Sequence, residues 1–324
     1  MSCDFSEKDP FSFGQPSSGG GEAAAQIFRS IPGSLPFGEF TKRFEYDDSV
    51  KPYGSGTFGR VYIGFDQKTK FRIVVKKIYS KETPQNPACS TEVVIKEATT
   101  AMLFESQHLC KVFAFSVDDA GFVYIAMEII PGIESFEFFN RNPLLGKTDP
   151  LLVLRILRDV TRGLATLHSA GFAHRDIKFD NIMLLFGPSG EFERAVIIDF
   201  GFTIRISEIP HNSQQGSVLY AAPEIVQMSP KTEKVDIWAF GVMLFVLLHG
   251  YYPIWSKNRN PTVEAREVFQ KLLGLKESPE LPLYTEGDKN INHLRMICAR
   301  CLEFDQAARI SAKELLALLE MLPK

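Results

Sequence analysis

The chain is 324 residues long, with 45% hydrophobic and 23% charged residues; this balance supports a sizeable core, about two domains or one bilobal one, and excludes the disordered and fibrous classes. A formal net charge of −3 gives no electrostatic ground for nonspecific binding to nucleic acid, so no nucleic-acid partner is expected. Five cysteines, an odd number, occur without a secretory signal and point to a reducing, cytoplasmic setting, with entry to the nucleus left open.

Residues 1–45 are rich in Ser, Gly, Pro and Phe, include the run Ser17-Ser18-Gly19-Gly20-Gly21 and carry no sustained apolar period; they read as a flexible N-terminal tail. Phe5, Phe11, Phe13, Phe28, Phe37 and Phe40 keep a docking segment open as a second reading. From 46 to 130, short apolar or β-branched runs at Arg60–Gly64, Phe71–Ile78, Val112–Val117 and Phe122–Met127 predict strands, interrupted by one helix over about 90–106. From 131 to 324 the pattern is mainly helical. Val153, Ile156, Leu157, Val160, Leu164 and Leu167 form one stripe over 151–168, and the apolar run Trp238–Leu248 is too short to span a bilayer, so it reads as a buried core helix. No membrane span is expected. Cys298 and Cys301, on one helix face without further ligands at zinc-site spacing, read as packing residues. The class is α+β: a small sheet-rich part followed by a larger helical one.

Chemistry enters with Gly54-Ser55-Gly56-Thr57-Phe58-Gly59-Arg60-Val61, where missing side chains allow backbone amides to approach phosphates. The loop precedes a strand rather than opening a helix, which argues against a dinucleotide-binding unit. Lys76, inside Ile73-Val74-Val75-Lys76, needs charged partners in so apolar a run, whereas Lys77 points to the opposite face. Its carboxylate is expected at Glu97, on the helical face of Val93, Val94, Ala101 and Phe104, with Glu92 as the alternative. Next comes His174-Arg175-Asp176-Ile177-Lys178-Phe179-Asp180-Asn181, then Asp199-Phe200-Gly201. Asp176 can accept the proton of an attacking hydroxyl, and Asn181 and Asp199 can hold magnesium that neutralises a transferring phosphoryl group. Between them, Gly187-Pro188-Ser189-Gly190 marks the tip of an expected β-hairpin.

The order H-R-D-x-K-x-x-N and then D-F-G resembles the eukaryotic protein kinase family, and further matches run from Gly54 to Arg309. The resemblance implies a two-lobed kinase fold over 46–324, with an antiparallel-sheet N-lobe at 46–130, a helical C-lobe at 131–324, ATP between the lobes and Mg2+ as cofactor. It implies that Gly54, Ser55, Gly56, Thr57, Phe58, Gly59 and Val61 lie over the nucleotide, and that Lys76 with Glu97 positions its phosphates. By the same resemblance Met127 is the gatekeeper, Glu128 and Ile130 offer backbone groups to adenine, Val74 and Met183 cover its two faces, and Glu134 reaches the ribose or a basic substrate side chain. Asp176 would be the catalytic base, Lys178 would offset charge on the phosphoryl group, and Asn181 and Asp199 would be the metal ligands. Gly216-Ser217-Val218-Leu219-Tyr220-Ala221-Ala222-Pro223-Glu224, Asp236-Ile237-Trp238-Ala239-Phe240-Gly241 and Asp305–Arg309 resemble segments that distinguish protein kinases from small-molecule kinases, and imply a buried Glu224–Arg309 pair.

Lys178 fits the serine/threonine class, and Ala221 argues against proline direction. Glu134 and Asp180 leave a preference for basic peptides open. The implied protein is a monomeric kinase acting on Ser and Thr hydroxyls of proteins. A pseudokinase scaffold and a small-molecule kinase are the rival readings. Gly241–Ile254, including Leu247–Ile254, resembles calcium/calmodulin-type kinases, and Ser213 is a candidate activating phosphosite, with Ser207 and Ser217 as alternatives.

Overall fold

The computed structural model describes residues 31–56, 59–79, 91–210, 216–254, 265–282 and 288–323. It divides into two compact units, one running to Met102 and including Val112–Ile129, the other made of Leu103–Lys111 with Ile130–Lys324. The small sheet-rich part and the larger helical part expected from the pattern are both present.

The first unit contains α1 (Phe37–Arg43), β1 (Phe44–Tyr46), β2 (Gly54–Gly56), β3 (Gly59–Asp66), β4 (Phe71–Tyr79), α2 (Thr91–Ala101), β5 (Val112–Val117) and β6 (Phe122–Glu128). Its antiparallel sheet has the order β1-β3-β4-β6-β5, with β2 folded back on β3. Tight turns set the register. Asp66 accepts bonds from the Lys68 amide (2.9 Å) and Thr69 Oγ1 (3.1 Å), closing the β3–β4 turn, while Asp118 accepts from the amides of Ala120 (3.0 Å) and Phe122 (2.9 Å) between β5 and β6.

β4 is covered on both faces: Ile73, Val74, Val75 and Ile78 are all buried. A strand that lacks apolar–polar alternation needs two covers. One is α2, which packs on β5 and β6 with Val94, Ile95, Ala98 and Ala101 buried. The other is α1 with β1: Phe40 and Phe44, both at 0% exposure, join Ile73, Val75, Ala114, Tyr124 and Ala126 in one cluster. The expected tail of 1–45 therefore needs correction over 31–45, because these aromatic residues find an apolar sheet face that would otherwise meet water. Arg43 ties the same segment to the β3–β4 turn through Asp66 (3.1 Å). Residues 1–30 lie outside the described residues.

In the second unit come β7 (Ile133–Glu134), α3 (Ser135–Arg141), α4 (Pro150–Ser169), β8 (Phe172–Ala173), β9 (Ile182–Phe186), β10 (Phe192–Ile197), β11 (Ile204–Arg205), α5 (Lys234–His249), α6 (Ala265–Leu273), α7 (Lys289–Cys301) and α8 (Ala312–Glu320), with single helical turns between some of them. α4 begins where Asp149 accepts from the Leu152 amide (3.0 Å) and Pro150 takes the first helical position. α5 is buried nearly all round, as its apolar run predicts, and ends at Gly250 with φ +75°, a left-handed cap that glycine adopts freely. Among the described residues no helix is long and apolar enough to cross a membrane. Cys298 and Cys301 are buried in α7 as packing residues, and burial pushes both thiols up.

The predicted helix over 90–106 is shorter than expected. After Ala101 the Met102 amide still donates to Ala98 O (3.2 Å), but Phe104 packs edge-on against Phe172 (5.2 Å) and the Cys110 amide donates to Ile197 O (2.9 Å). Residues 103–111 thus belong to the second unit, beside β10, and not to the small lobe in which the 46–130 boundary placed them.

Candidate active site

In the first unit, neighbouring strands collect the expected nucleotide residues. Gly54 pairs with Val61, Val61 with Lys76, and Val74 with Met127. Gly59 has a second reason to be glycine, since a Cβ there would run into the Lys77 carbonyl and Ile78. Lys76 Nζ donates to Glu97 Oε1 at 3.0 Å, with side chains 14% and 11% exposed, so the charge predicted for the α2 face is in place. Lys77 turns away: its amine pairs with Asp48 (2.6 Å) over the rings of Phe122 and Tyr124. Glu128 ends β6 partly buried. Thr57 and Phe58 lie outside the described residues, as does the Glu92 side chain.

The second unit holds Asp176 on the loop between β8 and β9. Its Oδ1 accepts from the amide (3.1 Å) and hydroxyl (2.9 Å) of Ser217, and its Oδ2 accepts from Lys178 Nζ (2.8 Å) and Asn181 Nδ2 (2.9 Å). Lys178 Nζ also reaches Ser217 Oγ (3.1 Å). A loop carboxylate this buried, 7% exposed, is costly unless its oxygens are hydrogen-bonded. The loop backbone is itself anchored by Asp236 at the start of α5, which accepts from the amides of His174 (2.8 Å) and Arg175 (2.7 Å) and from His168 Nε2 (2.8 Å). Burial pushes the Asp236 carboxyl up, but the His168 bond, the two imidazoles and the Arg175 amide outweigh it and hold it below the ordinary carboxylate value. Burial also lowers the Arg175 guanidinium, against the pull of Asp236. Arg175, whose amide is bound by Asp236, sits at φ +70°.

The hairpin expected from Gly187–Gly190 is formed by β9 and β10, and it joins the metal-ligand candidates. Asn181 precedes β9, Asp199 follows β10, and the Ile198 amide donates to the Asn181 carbonyl (2.9 Å). Asp199 sits at φ +65°, uncommon outside glycine, with its Oδ1 accepting from the Gly201 amide (3.2 Å). Asn181 spends its amide nitrogen on the carbonyl (2.8 Å) and carboxylate of Asp176, which leaves its amide oxygen as the donor a cation could use. Two hard oxygen donors, completed by phosphates and water, suit Mg2+. No group of three or more His, Cys, Asp or Glu that could hold a metal is present among the described residues.

Glu134 pairs with Met183 across β7 and β9, and Ile130 is buried ahead of a tight turn in which the Gly132 amide donates to its carbonyl (2.8 Å). Arg309 Nη1 meets Glu224 Oε1 at 2.7 Å and Nη2 meets Oε2 at 3.1 Å, with further bonds to the carbonyls of Glu303 and Lys234. This is the buried pair that the sequence implied. Ser213 lies outside the described residues. Sequence reasoning placed Ser217 in the segment leading to Glu224 but missed that it holds Asp176, and it missed the His168–Asp236 link.

The protein kinase domain model matches residues 48–318. The chain belongs to the protein kinase family. It is 30% identical over 221 residues to a Plasmodium falciparum protein named probable serine/threonine-protein kinase 2, covering 68% of this chain and 40% of that one. It is 26% identical over 212 residues to mouse Aurora kinase C (65% and 73%), and 28% identical over 233 residues to a Caenorhabditis elegans calcium/calmodulin-dependent protein kinase type 1 (72% and 64%). The match thus spans less than two thirds of the first and third of these relatives.

Proposed function

We propose that this chain is a serine/threonine protein kinase that transfers the γ-phosphoryl group of ATP to Ser and Thr hydroxyls of proteins. The observation that carries the reading is the Asp176 carboxylate held between Lys178, Asn181 and Ser217. Asp176 orients the acceptor hydroxyl and takes its proton as the oxygen–phosphorus bond forms; the bond to the β-phosphate oxygen breaks and ADP leaves. Lys178 sets a positive charge beside the carboxylate, where charge on the transferring group can be offset. Lys76, braced by Glu97, positions the phosphates, and the backbone of Gly54, Ser55, Gly56 and Gly59 approaches them. Asn181 and Asp199 would hold Mg2+, which when bound neutralises phosphate charge. Met127, Glu128, Ile130, Val74, Val61 and Met183 are assigned to the adenine pocket, and Glu134 to the ribose or a basic substrate residue.

The names of the relatives support the serine/threonine class. Against a pseudokinase stand Lys76, Asp176, Asn181 and Asp199, all present; against a small-molecule kinase stand the Glu224–Arg309 pair and the segment that leads to it. Action as a monomer in the cytoplasm completes the proposal, in keeping with the free cysteines at Cys110, Cys298 and Cys301. The test is transfer of label from γ-labelled ATP. Labelling of a generic basic protein, with none of a panel of small metabolites, is the expected result. Labelling of a metabolite alone, or of nothing, would contradict it.

A further inference from the structure

β5 is the free edge of the first unit's sheet, and an edge strand offers unpaired backbone groups unless something covers them. Residues 33–35 cover this one. The Leu35 amide donates to Phe115 O (3.0 Å), the Phe115 amide donates to Gly33 O (3.0 Å), and Ser116 Oγ donates to Leu35 O (2.7 Å). A parallel bridge joins Ser34 to Phe115. On one side this strap leads into α1 and the aromatic cover of the sheet. On the other it meets the carboxyl end of α2: Gly33 has φ +79°, and a Cβ built there would run into Met102 Sδ and Cε. The backbone angle favours glycine, and any side chain here would also displace the end of Met102.

Met102 extends α2 by its amide bond to Ala98, and Glu97 stands on the same helix, roughly 7.5 Å nearer its start at about 1.5 Å per residue. We propose that Gly33 and Met102 are positioning residues for the Lys76–Glu97 pair: the strap grips the end of α2 and so fixes where Glu97 stands against Lys76. The inference rests on the reading of Lys76 as the group that positions the phosphates. A helix shift of about 1 Å carries a 3.0 Å hydrogen bond out of range, and misplacement on that scale can cost on the order of a hundredfold in rate. The role is separable from simple stability, because Phe40 and Phe44 pack with Ile73 and Val75, which alternate along β4 with Val74 and Lys76 on the opposite face.

The test compares full-length wild type, Gly33→Ala, Met102→Ala, the double variant, and Phe44→Leu as a core control on the other face. For each, Tm, kcat, KM for ATP and KM for protein substrate are measured. Gly33→Ala should lower kcat/KM for ATP about tenfold or more with KM for the protein substrate unchanged, and the double variant should lose less than the product of the two single losses, because Met102→Ala removes the clash while the backbone strain at position 33 stays. Met102→Ala alone, which keeps the strap backbone, should raise KM for ATP severalfold. Phe44→Leu should lower Tm with KM for ATP at the wild-type value. If Gly33→Ala does not fold, the Met102→Ala comparison still decides. Unchanged ATP kinetics in Met102→Ala, or equal kinetic losses in Phe44→Leu at matched Tm, would overturn the proposal. If the wild type transfers no phosphate, the functional reading fails separately, and affinity for a fluorescent ATP analogue takes the place of KM in the same comparison.

Discussion

Lys76 and Glu97 meet through a 3.0 Å contact between a strand and a helix, whereas Asp176 accepts bonds from Lys178, Asn181 and Ser217 on a loop whose backbone is tied to the buried Asp236. In the first unit the contact joins a strand to a helix, so secondary structure sets the distance. In the second a loop without regular structure is held by side-chain acceptors placed from α5. The two arrangements fail in different ways. A strand and helix lose alignment by small shifts with the fold intact, while a buried polar anchor, once cut, leaves donors unpaired and the loop unsupported.

Cutting that anchor should give the largest loss. Asp236→Ala strands three buried donors and is expected to cost about 3–5 kcal/mol in urea denaturation. A loss under ~1 kcal/mol, no more than a typical net hydrogen bond, would erase the contrast between the units. The same carboxyl gives a pH signature. Its folded value lies below the ordinary 3.8, so its contribution is fully present above that value and disappears as pH falls through the lower folded value. Wild type should therefore lose stability relative to Asp236→Asn only in that acid window.

Phe40→Ala comes next, at about 3 kcal/mol, because it empties a fully buried site between α1 and the sheet. An unchanged Tm would mean that residues 31–45 are dispensable after all. Lys76→Met should lower kcat/KM for ATP about a hundredfold, with a cost in stability below that of Asp236→Ala, since it removes one ion-pair contact to a largely buried carboxylate rather than the acceptor of three buried donors. A large fall in Tm there would place the pair with the structural anchors. Smallest is Arg43→Leu, about 1 kcal/mol, because Asp66 keeps its bonds from Lys68 and Thr69. A loss of several kcal/mol would show that the Arg43 bridge carries the turn.

What was legible in the sequence follows from how locally each feature is encoded. Asp176, Lys178 and Asn181 share one loop, so their grouping is visible as spacing, and the hairpin that joins Asn181 to Asp199 announces itself through Gly187–Gly190. Lys76 and Glu97 are distant in sequence, yet each is a charge on an apolar face, which calls for a partner. The packed segment at 31–45 was obscured because composition averages over many residues while Phe40 and Phe44 decide the outcome. Its signal lay in β4, where Ile73, Val74 and Val75 run without alternation and so require cover on both faces. The anchoring role of Asp236 toward His168 and the loop amides depends on where α5 starts in space, and nothing near Asp236 in the chain states it. The early end of the helix after Ala101 likewise depends on Phe104 finding Phe172 and Cys110 finding β10.

The central claim is that Asp176 performs the chemistry while nucleotide binding is arranged by other residues. It is tested most directly by Asp176→Asn, with single-turnover transfer of γ-labelled phosphate to a protein substrate measured alongside affinity for ATP. The account predicts a rate lower by about a thousandfold, ATP affinity within about twofold of wild type, and label on serine and threonine in the wild-type reaction. Near wild-type transfer by Asp176→Asn would contradict it.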